Sequence, residues 1–262
     1  MNAKKQCRKG SKAETGWVPL KAESAALVRA IDYGRSRHAR LAVIIACLPA
    51  VLESVRYPPM CAASRDAPVL VLASRSPRRG QLLRQAGVAF EQVASPFDDA
   101  GMIDAMPGRD AQGLATELAL RKARALARTL DGRHVVLGAD TLCVGDDGSP
   151  RGQPTSRDAA EAMLRGFVGK AHDVVTGVAL VRGGDGEVLA SFADTATVRW
   201  GEVAAAQIQA YLDSGDWRGK AGGYNLYERQ AAGWPIDVRG DPTTVVGLPM
   251  RRLERVLASV CV

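Results

Sequence analysis

The chain has 262 residues, 47% hydrophobic and 24% charged, which is the profile of a globular protein of one or two domains. Its formal charge of +7 lies wholly in residues 1–66, with twelve Lys/Arg against five Asp/Glu, while residues 67–262 hold 23 of each. The neutral body therefore excludes a broad basic surface for nucleic acid outside the N-terminal piece.

Cys7, Cys47, Cys61, Cys143 and Cys261 are scattered, odd in number and without a CxxC pair. That argues against a disulfide framework and a zinc site, and for a reducing, cytoplasmic setting. The longest apolar run, Leu41 to Leu52, carries Pro49 and is too short to span a bilayer. It also lies too deep in the chain for an ordinary signal peptide. Residues 1–66 are read as a basic N-terminal extension, with a start that lacks periodicity and two short helical stretches at 23–31 and 41–55. Residues 67–262 form the main domain.

Val69 to Ala73 reads as a buried strand. Ser76 stands at an N-cap position and Pro77 at the first helical one; Leu82, Leu83 and Ala86 face a core, and Gly87 stops the helix. Arg78 and Arg79 fall in the first turn, where the helix dipole disfavours cations. They suit a bound anion such as phosphate, or else a solvated basic helix start. A short strand at 90–94 leads to Asp98-Asp99, either a solvated turn or a hard-cation ligand pair.

Asp110 to Leu130 is the strongest helical pattern. Lys122 sits alone in the middle of its apolar stripe, so it either snorkels outward or points into a polar cavity holding something anionic. The strand His134 to Val144 carries Asp140-Thr141, where Asp140 is a candidate general base or metal ligand. Ser156 caps the next helix. Val174 to Val181 and Val188 to Val198 read as a hairpin around Gly183 to Gly186. His172 reads as a hydrogen-bonded structural residue. A helix spans 202–212, and a glycine-rich loop at 219–230 follows with Lys220, Tyr224, Glu228 and Arg229. Ile236 to Arg239, a strand over Thr243 to Gly247 and a helix from Pro249 close the domain.

Taken together, Leu72-Ala-Ser-Arg-Ser-Pro-Arg-Arg79, Gly138-Ala-Asp-Thr141, Thr176-Gly-Val-Ala-Leu180, Lys220-Ala-Gly-Gly-Tyr224 and Val245-Val-Gly-Leu-Pro249 resemble the Maf family of nucleoside triphosphate pyrophosphatases. The resemblance covers about residues 68–257 and none of residues 1–66. It implies a Maf/ITPase-like α/β fold, a mixed sheet with flanking helices and two lobes around a central cleft. It also implies hydrolysis of a nucleoside triphosphate at the α–β phosphoanhydride, a divalent cation (magnesium or manganese) and frequent homodimers. By motif, Ser74, Arg78, Arg79 and Lys122 match triphosphate ligands, Asp98 and Asp99 a metal-binding pair, and Asp140 the proton acceptor, with a place near the metal. Arg78 and Thr141 match specificity positions, and Lys220 joins the substrate-binding set.

Three features depart from the family pattern. Gln153 stands where a lysine is usual, and Arg121 where an acidic residue often precedes the helix lysine. The loop after Tyr224 is one residue longer than in the dTTP/UTP branch, which places Glu228 opposite that branch's specificity glutamine. A carboxylate that only accepts hydrogen bonds suits a guanine edge, hence a 7-methyl-GTP-like substrate, with dTTP/UTP next. The rival to an enzyme is a nucleotide-binding regulator of septum formation with little catalysis.

Overall fold

The computed structural model describes residues 68–99, 101–106 and 108–260. The extension of residues 1–66 lies outside them. Strand β1 (Val69–Ala73) lies between two parallel neighbours, and all but Val69 are buried, which is why its sequence is an unbroken apolar run. Helix α1 (Pro77–Gln85) follows, with Pro77 in its first turn, and Gly87 at φ 69° turns the chain away. Strand β2 (Glu91–Val93) then pairs parallel with one edge of β1. Helix α2 (Ala111–Ala127) starts at Asp110, whose Oδ1 accepts from the Gly113 N–H at 2.7 Å. It leads to β3 (His134–Val144), parallel to the other edge of β1.

The remaining pairings are antiparallel. Strand β4 (Pro150–Arg151) meets the far end of β3. After helix α3 (Arg157–Phe167), whose cap is the Ser156 hydroxyl, come the long strands β5 (Ala171–Arg182) and β6 (Val188–Trp200). Helix α4 (Ala205–Ser214), a 3-10 turn at Ala221–Gly223 and helix α5 (Leu226–Ala231) precede β7 (Ile236–Arg239). Helices α6 (Pro242–Val246) and α7 (Met250–Val260) follow. The result is one mixed sheet of seven strands, ordered β2-β1-β3-β5-β6-β7 with β4 on β3, and flanked by helices: the expected α/β class.

Two kinds of core divide the domain. Aliphatic clusters cover both faces of the β1–β3 half: Leu72, Leu83, Leu137 and Leu253 on one, Val71, Ala119, Ala123 and Val136 on the other. An aromatic cluster of Phe167, Trp200, Tyr211, Trp217, Tyr224 and Trp234 builds the other half. Helix α2 comes unusually close to the sheet. A Cβ on Gly138 would lie 2.2 Å from the Ala119 carbonyl oxygen, and one on Gly177 2.2 Å from the Ala115 backbone. Glycines on the strands and alanines on the helix therefore set the depth at which Lys122 is held.

Three expectations are corrected. The segment 243–247 is helix α6, because Asp241 accepts from the Thr243 N–H at 2.9 Å and Pro242 takes the first helical position, so the β-branched run Thr243 to Val246 coils. Part of the glycine-rich loop is also helical: the Asn225 side chain accepts from Tyr227 and Glu228 N–H at 3.0 and 3.3 Å and starts α5. The helix expected over 202–212 runs instead over Ala205–Ser214, ended by Gly215 at φ 75°.

Candidate active site

Strand β1 ends at Ala73, its pairing with β3 running only to Leu72 opposite Leu137. β3 continues to Val144, and β4 does not meet it until Cys143. Among the described residues no strand pairs with that edge of β3 between these points, and the notch holds Ala139 to Leu142. It lies at the carboxyl end of β1, between the crossovers that α1 and α2 make on opposite faces of the sheet. This is the switch-point position at which open α/β sheets bind ligands. Because successive strand residues point to opposite faces, Asp140 turns to the α2 side and Thr141 to the other.

On the Thr141 side, the Arg79 guanidinium is fixed by three bonds. Its Nε donates to the Gly247 carbonyl at 2.9 Å, Nη1 to Ser74 Oγ at 3.3 Å and Nη2 to Thr141 Oγ1 at 3.1 Å. An arginine has five N–H groups, so two remain for an anion. Ser74 Oγ also accepts from the Ser76 N–H at 3.1 Å. The buried Ser74 hydroxyl thus accepts twice while its own proton is left for a ligand. Ser76 occupies the N-cap position of α1, yet its side chain makes no cap bond, so the first-turn N–H groups are not closed off by it.

On the Asp140 side, the lysine in the apolar stripe of α2 does not snorkel. Lys122 Nζ lies 2.5 Å from Asp140 Oδ1 and 2.5 Å from Asp99 Oδ2, with only 14% of its side chain exposed. Burial raises the Asp140 carboxyl above the usual range, against the pull of Lys122 and then Arg79. Burial acts in the same direction on Asp99, but the Lys122 hydrogen bond and charge outweigh it and its value falls. Asp140 is thereby the more basic of the two carboxylates, in a position to take a proton.

The third group joins α1 to the aromatic half. Arg78 Nη2 donates to the Gly219 carbonyl at 2.9 Å, and Lys220 forms an ion pair with Glu228 on the first turn of α5. Burial lowers the Lys220 ammonium, opposed by Glu228. The Tyr211 hydroxyl donates to the Gly223 carbonyl at 3.0 Å, and its ring carries Arg229 at 4.0 Å. His172, expected as a structural residue, bonds the Tyr224 hydroxyl at 2.9 Å and stacks on Phe167 at 3.8 Å. Gly222 is held at φ 68°, where a Cβ would meet Cys143 Sγ at 2.5 Å, so only glycine fits that turn.

Among the expected metal ligands, Asp99 and Asp140 converge through Lys122, while Asp98 is exposed on the same loop. No cluster of three or more His, Cys, Asp or Glu able to hold a metal occurs among the described residues. Two carboxylates that already share a cation nevertheless match the way magnesium is commonly held, by one or two carboxylates together with substrate phosphate and water. Of the departures, Arg121 is paired with Glu117 at 2.7 Å on the outer surface of α2, and Gln153 is exposed. Among the described residues no helix is long and apolar enough to cross a membrane.

Sequence reasoning missed Thr176, Thr244 and the Gly247 carbonyl as parts of the arginine cradle. Thr176 had a signal, as the one polar side chain in the apolar run 174–181. The Gly247 carbonyl had none, since a backbone group leaves no mark on side-chain pattern.

The family model for Maf-like proteins matches residues 69–260. A dTTP/UTP pyrophosphatase of Symbiobacterium thermophilum is 42% identical over 188 residues, 72% of this chain and 92% of that protein. Another dTTP/UTP pyrophosphatase, from Salinibacter ruber, is 40% identical over 72% of this chain and 89% of its own length. A HAM1 protein of Coxiella burnetii, known by its structure, aligns with 73% of this chain and 99% of its own at a TM-score of 0.39 and 13% identity. With its five motifs gathered around one notch and a family match that runs the length of the described domain, the chain belongs to the Maf family.

Proposed function

We propose that this protein hydrolyses a nucleoside triphosphate at the α–β phosphoanhydride, giving a nucleoside monophosphate and pyrophosphate and so removing non-standard or surplus nucleotides. The observation that carries the reading is the buried Asp140, raised in pKa and set between Lys122 and the Arg79 cradle. Relatives named as dTTP/UTP pyrophosphatases support it.

The division of labour follows from the bonding. Arg79, through its two remaining N–H groups, and Ser74, through its uncommitted hydroxyl proton, bind phosphate oxygens. Arg78, from α1, and Lys220, from the aromatic half, extend the cationic lining. Asp140 accepts a proton from water as the water oxygen bonds to the α-phosphorus, and the bond to the bridging oxygen breaks to release pyrophosphate. No covalent nucleophile is needed, because positioning and charge supply most of the catalysis of phosphoryl transfer. Asp99 and Asp140, with Asp98 beside them, would hold magnesium or manganese, which when bound neutralises phosphate charge.

For the base, dTTP or UTP is the first reading, on the names of relatives at 33–42% identity. A 7-methyl-GTP-like substrate is the second, favoured by the Glu228 carboxylate beside Lys220. The cytoplasm is the proposed setting, and the buried Cys143 thiol, pushed up to about 12 by burial, is inert there. A panel of canonical and modified triphosphates read as pyrophosphate release tests all of this. Tight nucleotide binding without pyrophosphate release would favour the regulator instead.

A further inference from the structure

We infer that Thr176 is a positioning residue for Arg79, acting through Thr141; the inference rests on the reading of Arg79 as a phosphate ligand. Thr176 is fully buried on β5, directly opposite Thr141 in the β3–β5 register. Thr176 Oγ1 lies 2.9 Å from Thr141 Oγ1 and 2.7 Å from the Thr244 carbonyl oxygen of α6.

The direction of every bond in this chain is forced. A carbonyl oxygen only accepts, so Thr176 must give its single hydroxyl proton to Thr244. Thr176 must then accept from Thr141, which spends that proton too. A guanidinium only donates, so Thr141 accepts from Arg79 Nη2 at 3.1 Å. The line runs Arg79 to Thr141 to Thr176 to the α6 backbone. Its far end is anchored again, where the Thr244 hydroxyl bonds Asp194 Oδ2 at 2.5 Å. Two consequences follow. Thr141 has no proton left for a substrate and serves as an orienting acceptor, unlike Ser74. Thr176, which lies fully buried behind Thr141, fixes the orientation of the Thr141 lone pair that Arg79 uses. A valine would suit the surrounding apolar run better, so the hydroxyl is there for this bond.

The test compares Thr176→Val, isosteric but without the hydroxyl, with Thr176→Ser, which keeps it. Two quantities are read: kcat/KM for triphosphate cleavage, and calorimetric affinity for inorganic pyrophosphate, which needs no turnover. Thr176→Val should lower both roughly tenfold, with the loss in catalysis falling mainly on KM, and Thr176→Ser should stay within about twofold. In an Arg79→Lys background the valine change should have little further effect. If Thr176→Val does not fold, Thr176→Cys takes its place, being of similar size with a far weaker donor. Values for a folded Val or Cys variant within about twofold of the parent overturn the inference. So does a full further loss in the Arg79→Lys background. If the parent cleaves no triphosphate yet Thr176→Val weakens pyrophosphate binding tenfold, the proposed function fails and the positioning role stands.

Discussion

Asp140 and Lys122 form the buried ion pair on which the proposed reaction depends, and each does something the other cannot. Asp140 is the buried carboxylate with the raised pKa, whereas Lys122 keeps it and Asp99 from repelling each other. Asp140→Asn should lower kcat by about 10²–10⁴, the usual worth of a general base, while far-UV dichroism stays unchanged. Lys122→Met fits the apolar stripe but leaves two carboxylates without their shared cation. Steady-state kinetics should show kcat/KM down by more than about tenfold, and unchanged kinetics would leave Lys122 a structural counter-ion with no part in turnover. His172 gives a separate test, of stability alone. Burial pushes its pKa down to about 4, against 6.5 in an open chain. The unfolded chain therefore takes the proton first, so this stabilisation is whole above about pH 6.5 and is lost as the pH falls towards 4. The full loss is about 3 kcal/mol. Urea unfolding from pH 7 to pH 4.5 should show it in the parent, and His172→Gln should remove that part of the slope.

At the scale of elements, the site depends on how closely α2 lies on the sheet. Gly177→Ala places a methyl 2.2 Å from Ala115 backbone, which cannot yield as a flexible side chain would. It should cost about 1–3 kcal/mol in denaturant unfolding and lower kcat with it, because α2 carries Lys122. Gly166→Ala is the matched control. It lies within α3 with nothing within 4 Å of the new methyl, and should stabilise by about 0.5–1 kcal/mol without touching activity. The elements were largely legible in the sequence where one signal dominated. The apolar run of β1, the Ser156 cap and the glycine-rich β5–β6 turn all stand where their residues placed them. Thr243 to Val246 was misread because β-branched residues suggest a strand, while the cap at Asp241, two residues upstream, decides for a helix. Asp140 and Thr141 were legible as candidate site residues. Their placement on opposite sides of one notch was not, since it depends on where β1 stops relative to β3, a matter of register between distant segments.

For the molecule as a whole, the two cores matter because each contributes part of the candidate site. Ser74, Arg79 and Lys122 come from the aliphatic half, and Lys220 and Glu228 from the aromatic one. The bond from Arg78 to the Gly219 carbonyl joins the two directly. A ligand that spans both halves would meet Arg79 and Lys220 together, which suits the proposed triphosphate. The measurement that bears most directly on this account is the fate of solvent oxygen during turnover with magnesium in ¹⁸O-enriched water. The account expects a nucleoside monophosphate carrying the label and unlabelled pyrophosphate, since water attacks the α-phosphorus beside Asp140. Label in pyrophosphate, release of orthophosphate with a nucleoside diphosphate, or no cleavage of any triphosphate would contradict it.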